Sequence, residues 1–301
     1  MAPIGTATHP FGTMLTAMVT PFKADLSVDF DAAQRLAADL VALGNDGIVV
    51  NGTTGEAPTT TPEEKQRLVA AIVEAVGDRA FVVAGVGNND TADSVQHAKD
   101  AAEVGASGLL VVCPYYNKPT QEGVIAHYRA IADATELGVI TYDIPGRAGI
   151  AIAHETFLEL AQHPRIVANK DAKGDVWAAQ RAMAATGLPF YSGDDPLNLP
   201  LLAVGACGFI SVTGHIVADR LKAMIVAFNE GDVVGAMAMN RSLIPVTHGV
   251  MGRGPGAIAT KAALDLLGRA GGGAMRLPMV PLGEAARAVL RADLIAGGFD
   301  L

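Results

Sequence analysis

Along this chain, eight short apolar runs rich in β-branched residues alternate with longer segments whose apolar positions recur at helical spacing. The runs lie at 14–19, 47–50, 81–84, 109–112, 139–142, 166–168, 190–192 and 208–212. Between them, sets such as Leu68, Ile72, Val73 and Val76, or Val124, Ile125, His127, Tyr128 and Ile131, mark one face of a helix. The runs are continuously apolar rather than alternating, as strands of a parallel sheet buried on both faces should be. Eight strand and helix units, with strand starts roughly 20 to 34 residues apart, predict an α/β fold: a closed (β/α)8 TIM barrel rather than an open sheet.

Helix boundaries are clearest at Thr61-Pro62-Glu63-Glu64, where Thr61 caps, Pro62 suits the first helical position, Glu64 completes a capping box, and Gly77 stops the helix. After residue 212 only helical patterns follow, at 216–228, 232–243, 259–267 and 282–296. The first completes the barrel. The expected division is therefore a barrel over 1–230 that carries the active site and a C-terminal helical extension over 231–301. The stretches Gly252-Arg253-Gly254-Pro255-Gly256 and Gly271-Gly272-Gly273 follow no strand and lack a phosphate-loop pattern, so they read as flexible connections. Gly85-Val86-Gly87 does lie between strand and helix, but Asp90 stands where a dinucleotide fingerprint needs its third glycine.

Composition narrows the function. Hydrophobic residues make up 50% of the 301 and charged residues 18%, and the mean hydropathy is +0.32, which supports a large buried core. Aromatics at 5% with 34 glycines favour a core of small aliphatics over a β-sandwich. A net charge of −9 and a pI near 5.2 leave no basic field for a nucleic-acid backbone. The first 22 residues hold no Lys or Arg and no run approaches a membrane span, so a cytoplasmic protein without membrane contact is expected. Cys113 and Cys207 form no CxxC pair and read as small buried hydrophobes. Leu158 stands where His154-Glu155 would need a second histidine for HExxH, so no metal is expected.

In such a barrel the chemistry sits at the C-terminal strand ends. Lys170, directly after the sixth run, is costly to bury, and burial depresses its pKa and frees a nucleophilic amine for a Schiff base with a ketone or aldehyde. The alternative is a rim lysine paired with Asp171 or Asp143. Tyr142 ends the adjacent strand and, with the hydroxyls of Thr53 and Tyr116, offers the proton transfers such chemistry needs; a buried core tyrosine is the other reading. The Gly52-Thr53-Thr54-Gly55 stretch suits a small carboxylate, or is simply a turn.

The stretches GTTGE, PYYNKP, YDIPGR, KDAKGD, YSGDDPLNLP and GFISV occur in this order at the strand ends. On them the chain resembles the pyruvate-dependent class I aldolases of the dihydrodipicolinate synthase and N-acetylneuraminate lyase family, from about residue 12 to the end and most strongly over 16–213. The resemblance implies that Lys170 forms the Schiff base with pyruvate and that Tyr142, Thr53 and Tyr116 relay protons, Tyr116 reaching into a neighbouring subunit. It implies that Thr54 and the Thr53 backbone hold the pyruvate carboxylate, and that Gly193 and Ile210 give backbone contacts around the keto acid. Arg147 matches the arginine that grips the carboxylate of a second substrate, aspartate semialdehyde, and sialic-acid lyases lack it. The implied activity is a condensation in the diaminopimelate route to lysine by a homotetramer of tight dimers, with no cofactor. A retro-aldol sugar-acid lyase and a non-catalytic keto-acid-binding barrel are the alternatives.

Ala57, Cys113 and Asn169 depart from the family's usual Ser, Thr and apolar residue without removing a reactive group. At the positions of the family's lysine-feedback site stand Ala57, Pro62, Lys65, Asn89, Asp93 and Tyr115, only two of them kept, and Lys65 adds a positive charge. Insensitivity or weak sensitivity to L-lysine is expected.

Overall fold

In the computed structural model, which describes residues 5–252 and 254–301, strands and helices alternate through the first three quarters of the chain. In order they are β1 (Met14–Ala17), α1 (Phe30–Ala42), β2 (Gly47–Val50), α2 (Pro62–Val76), β3 (Phe81–Gly85), α3 (Thr91–Glu103), β4 (Gly108–Val112) and α4 (Gln121–Ala132). Then come β5 (Gly138–Asp143), α5 (Pro145–Ala148), α6 (His154–Leu160), β6 (Ile166–Asp171), α7 (Val176–Thr186), β7 (Phe190–Ser192), α8 (Asn198–Ala203), β8 (Gly208–Ser211) and α9 (Gly214–Asn229). The eight strands are all parallel, pair in sequence order and close between β1 and β8, with Met14 opposite Phe209.

Successive residues of a strand face opposite sides, so each apolar run serves two cores. Leu15, Ala17, Val49, Val83, Leu110, Ile140, Ala168 and Ile210 fill the barrel interior. Their neighbours Ile48, Val50, Val82, Ala84, Leu109, Val111 and Val139 pack outward against the helices. Helix α2 shows why the helices form where they do. Thr61 Oγ1 accepts from Glu64 N at 3.2 Å and Glu64 Oε2 accepts from Thr61 N at 3.0 Å, while Leu68, Val69, Ile72 and Val76 bury one face. Each such side chain stabilises by about 1.5–3 kcal/mol on full burial.

The strand ends depart from the hydropathy reading in one place that matters. β6 runs on through Asn169, Lys170 and Asp171, so Lys170 lies inside the strand and not beyond it. The late helices are α10 (Val233–Met251), α11 (Gly256–Leu266) and α12 (Glu284–Ala296). α10 continues through Pro245, past the expected end at 243, because Leu243, Val246 and Val250 are buried in a shared core. That core joins Met14 and Phe209 of the barrel to Leu290 and Leu294 of α12. Positions 271 and 272 are close-packed and not a loose connection: a Cβ on Gly271, at φ +94°, would lie 2.7 Å from Leu36 Cδ2, and one on Gly272 would lie 2.7 Å from Asp265 N, whereas Gly273 faces open space. Of the other glycine-rich stretch, Gly252 caps α10 through His248 O at 2.9 Å, and position 253 lies outside the described residues. Both cysteines are free, Cys113 buried and Cys207 half-buried. No helix among the described residues is long and apolar enough to cross a membrane.

Candidate active site

The register of β5 on β6 sets Tyr142 beside Lys170 and Asp143 beside Asp171. The first pair points into the barrel and the second outward. Lys170 is 4% exposed, and its Nζ lies 4.2 Å from the centroid of the Tyr142 ring. No ion pair joins it to a carboxylate among the described residues, so the rim pairing with Asp143 or Asp171 does not form; Lys173 takes that place, with Nζ 4.0 Å from Asp143 Oδ2. Burial pushes the Lys170 ammonium down to about 8, opposed by the Asp195 carboxylate and reinforced by Arg147. About a tenth of the amine is therefore free at pH 7, far more than in an ordinary lysine.

Gly193 packs directly on this lysine. A Cβ there would stand 2.7 Å from Lys170 Cε, so any larger residue would displace the lysine side chain, and its backbone N–H donates to Asp171 O at 2.7 Å. Ile210 is fully buried among the interior side chains.

Burial raises the Tyr142 phenol to about 12, with Arg147 and a hydrogen bond to the Thr53 side chain pulling the other way. The phenol thus stays protonated through the neutral range and available as a donor. Thr53 is placed by a tight turn in which Gly55 N donates to Gly52 O at 3.0 Å and Glu56 N to Thr53 O at 3.1 Å. Thr20 Oγ1 fixes the turn from below by donating to Gly55 O at 2.6 Å. Thr54, in the same turn, is buried.

Arg147 belongs to α5 and is exposed; with Thr53, Tyr142 and Ile144 it lines a cavity of about 660 Å3. Lys65, Asp93, His97, Asp100 and Tyr115 line the same cavity. Tyr116 is not brought to this cluster. It is 87% exposed, at a left-handed φ of +72°. The chain by itself therefore brings Lys170 to Tyr142 and Gly193, and Tyr142 to Thr53 and Arg147, with Ile210 in the same interior core; Thr54 is buried in the Thr53 turn without lining the cavity, and Tyr116 stays on the surface.

Two features of the site escaped the sequence reading. Asp195, which acts on Lys170 more strongly than Arg147 does, is a buried carboxyl group that accepts from Ser211 Oγ at 2.5 Å, Val212 N at 2.9 Å, Thr213 N at 2.8 Å and Asn198 Nδ2 at 3.0 Å. The double aspartate of YSGDDPLNLP was its only local signal. Behind the reactive pair, burial raises Asp143 to about 7 and Asp171 to about 6, with Lys173 opposing both. Among the described residues no three His, Cys, Asp or Glu side chains converge as metal ligands.

With this geometry in view, comparison with known proteins is specific. The sequence model of the Dihydrodipicolinate synthetase family matches residues 10–296. Over all 301 residues the chain is 58% identical to 4-hydroxy-tetrahydrodipicolinate synthase 2 of Streptomyces coelicolor, covering 100% of both chains. It is 55% identical to the 4-hydroxy-tetrahydrodipicolinate synthase of Acidothermus cellulolyticus over 96% of this chain and 94% of that one. Among solved structures it is similar to dihydrodipicolinate synthase DapA-2 of Bacillus anthracis, with a TM-score of 0.92, 40% identity and coverage of 97% of this chain and 99% of that one. The enzyme of Cyanidioschyzon merolae, solved with lysine bound, gives a TM-score of 0.93 at 40% identity, covering 96% and 98%.

Proposed function

The chain belongs to the dihydrodipicolinate synthetase family, and we infer that it is a Schiff-base lyase condensing pyruvate with L-aspartate 4-semialdehyde, the 4-hydroxy-tetrahydrodipicolinate synthase reaction of lysine biosynthesis through diaminopimelate. One observation carries the reading of the site: a buried lysine free of any ion pair, its ammonium destabilised by burial, stands against a protonated tyrosine that itself lines a cavity of about 660 Å3 together with Thr53 and Arg147.

The Lys170 amine attacks the keto carbon of pyruvate, whose carboxylate rests on Thr54 and the Thr53 backbone. Tyr142, hydrogen-bonded to Thr53, gives the carbinolamine oxygen the proton with which it leaves as water. Loss of a methyl proton turns the resulting imine into an enamine, whose carbon attacks the aldehyde carbon of the semialdehyde while Arg147 holds that substrate's carboxylate. The new alkoxide is protonated, the amino group of the added unit attacks the imine carbon, and the Lys170 amine departs as the ring closes. Gly193 and Ile210 flank the bound keto acid. Arg147 favours an aldehyde bearing its own carboxylate over the neutral sugar aldehyde of a retro-aldol lyase.

The relay's third hydroxyl comes from a neighbouring subunit. The exposure of Tyr116 on the isolated chain supports this; the family resemblance adds a homotetramer of dimers acting in the cytoplasm. Lys65 adds a positive charge to the cavity wall that also holds Asp93 and Asp100, and so weakens it as a receptor for a cationic effector. The enzyme is insensitive or weakly sensitive to L-lysine; inhibition at sub-millimolar lysine would contradict that.

Borohydride trapping with pyruvate followed by peptide mass measurement tests the central claim. The expected result is an adduct on Lys170 that Lys170→Ala abolishes. An unmodified Lys170 peptide overturns the assignment.

A further inference from the structure

The turn that carries Thr53 and Thr54 ends at Glu56, which adopts a left-handed backbone with φ +57° and ψ +35°. A residue with a Cβ stays in that region only when its surroundings hold it there. The side chain shows what does so. Glu56 Oε1 meets Lys261 Nζ of α11 at 2.5 Å, the two side chains 0% and 1% exposed, across 205 positions of sequence. Glu56 Oε2 accepts from Arg276 N at 3.1 Å, and Lys261 Nζ also donates to Ala274 O at 2.8 Å.

The cluster reaches further into the barrel rim. Lys261 Nζ and Arg276 Cζ lie 4.3 Å and 4.5 Å from the centroid of the Phe22 ring. The Arg276 guanidinium grips both oxygens of Glu64 at 2.6 Å, Thr59 O at 2.7 Å and Leu26 O at 2.8 Å. Segment 261–276 therefore ties together the loops that follow β1 and β2.

A buried ion pair of this kind is poor at adding stability, because desolvation offsets its attraction; what it fixes is geometry. Here the fixed point is adjacent to Gly55, whose carbonyl and N–H close the turn beside Tyr142. We propose that Glu56 and Lys261 are positioning residues: through them α11 and the segment after it hold Thr53 and Thr54 where the pyruvate carboxylate is received. The idea rests on the Schiff-base reading above and adds to it a part for the extension, which touches no substrate.

The test compares the parental protein with Lys261→Met, Glu56→Gln and the double variant, in which no unpaired buried charge remains. For each, the pyruvate concentration giving half-maximal borohydride trapping at Lys170 is measured beside the thermal midpoint. Expected is a rise in half-saturation of about tenfold or more in the double variant, with trapping at saturating pyruvate retained and a thermal midpoint nearer the parental one than either single variant. An unchanged half-saturation in the folded double variant overturns the proposal. Because coupling is reciprocal, amide exchange on the parental protein supplies a readout that needs no variant. Pyruvate should slow exchange in 256–276 as well as in 52–57, and protection confined to the barrel would refute the tether. If the parental protein traps no pyruvate at all, the Schiff-base reading fails instead.

Discussion

Burying a lysine without a counter-ion makes its neighbours decisive, and two of them set the behaviour of Lys170. Asp195 raises its affinity for a proton while burial lowers it. The initial rate of pyruvate adduct formation should climb as pH rises toward about 8 and level off above, since only the free amine attacks. Asp195→Asn should shift that inflection to lower pH, because it removes the charge that favours the ammonium; trapping rates across pH 6 to 10 read the shift, and an inflection that stays in place or moves up contradicts it. Gly193→Ala would put a methyl group against Lys170 Cε. It should cut the trapping rate at least about tenfold even in a folded protein, which a time course of adduct mass decides. Lys170, Tyr142 and Thr53 were legible in the sequence because a polar residue ending an apolar run is conspicuous. Asp195 was not, since its partners, Ser211 and the backbone at 212 and 213, come from another strand end.

At the scale of elements, every apolar run became a strand, and the misjudged boundaries share a cause. β6 keeps going through Asn169, Lys170 and Asp171 because its neighbours supply hydrogen bonds, with Asn169 N donating to Pro189 O at 2.9 Å, and hydropathy does not see a polar residue that a ladder buries. α10 likewise passes Pro245 because the packing of Val246 and Val250 outweighs the lost backbone bond. The β5 and β6 ends also carry a pH signature. Asp143 titrates at about 7 when folded against an ordinary 3.8, so the folded chain binds the proton more tightly than the unfolded one. That contribution to stability is complete below about pH 4 and is lost as pH rises through about 7. Asp143→Asn keeps an acceptor for Ile152 N and removes the titration. Its thermal midpoint should gain on the parental protein between pH 5 and pH 8; midpoints measured at both values that keep a constant difference would count against this.

For the whole molecule, sequence periodicity revealed the barrel but treated the last seventy or so residues as an appendage without a part in the chemistry. The bond between Lys261 and Glu56 is what that view missed, and no local pattern distinguishes a lysine in an alanine-rich helix from a solvated one. Assembly is the other property of the whole. If Tyr116 serves a neighbour's site, Tyr116→Phe and Lys170→Ala subunits, each nearly inactive alone, should recover turnover when refolded together, because a mixed pair rebuilds one complete site. Mixtures no more active than their components would mean each subunit works alone.

Closure of the sheet between β1 and β8 also bears on how the chain is made. Met14 leaves the ribosome long before Phe209, its partner across the seam. At about 5–20 residues per second the first strand waits roughly ten to forty seconds with one edge unpaired. During that interval the edge is open to any other extended chain, so the nascent protein should depend on chaperones most heavily at the stage when seven of its eight strands have emerged.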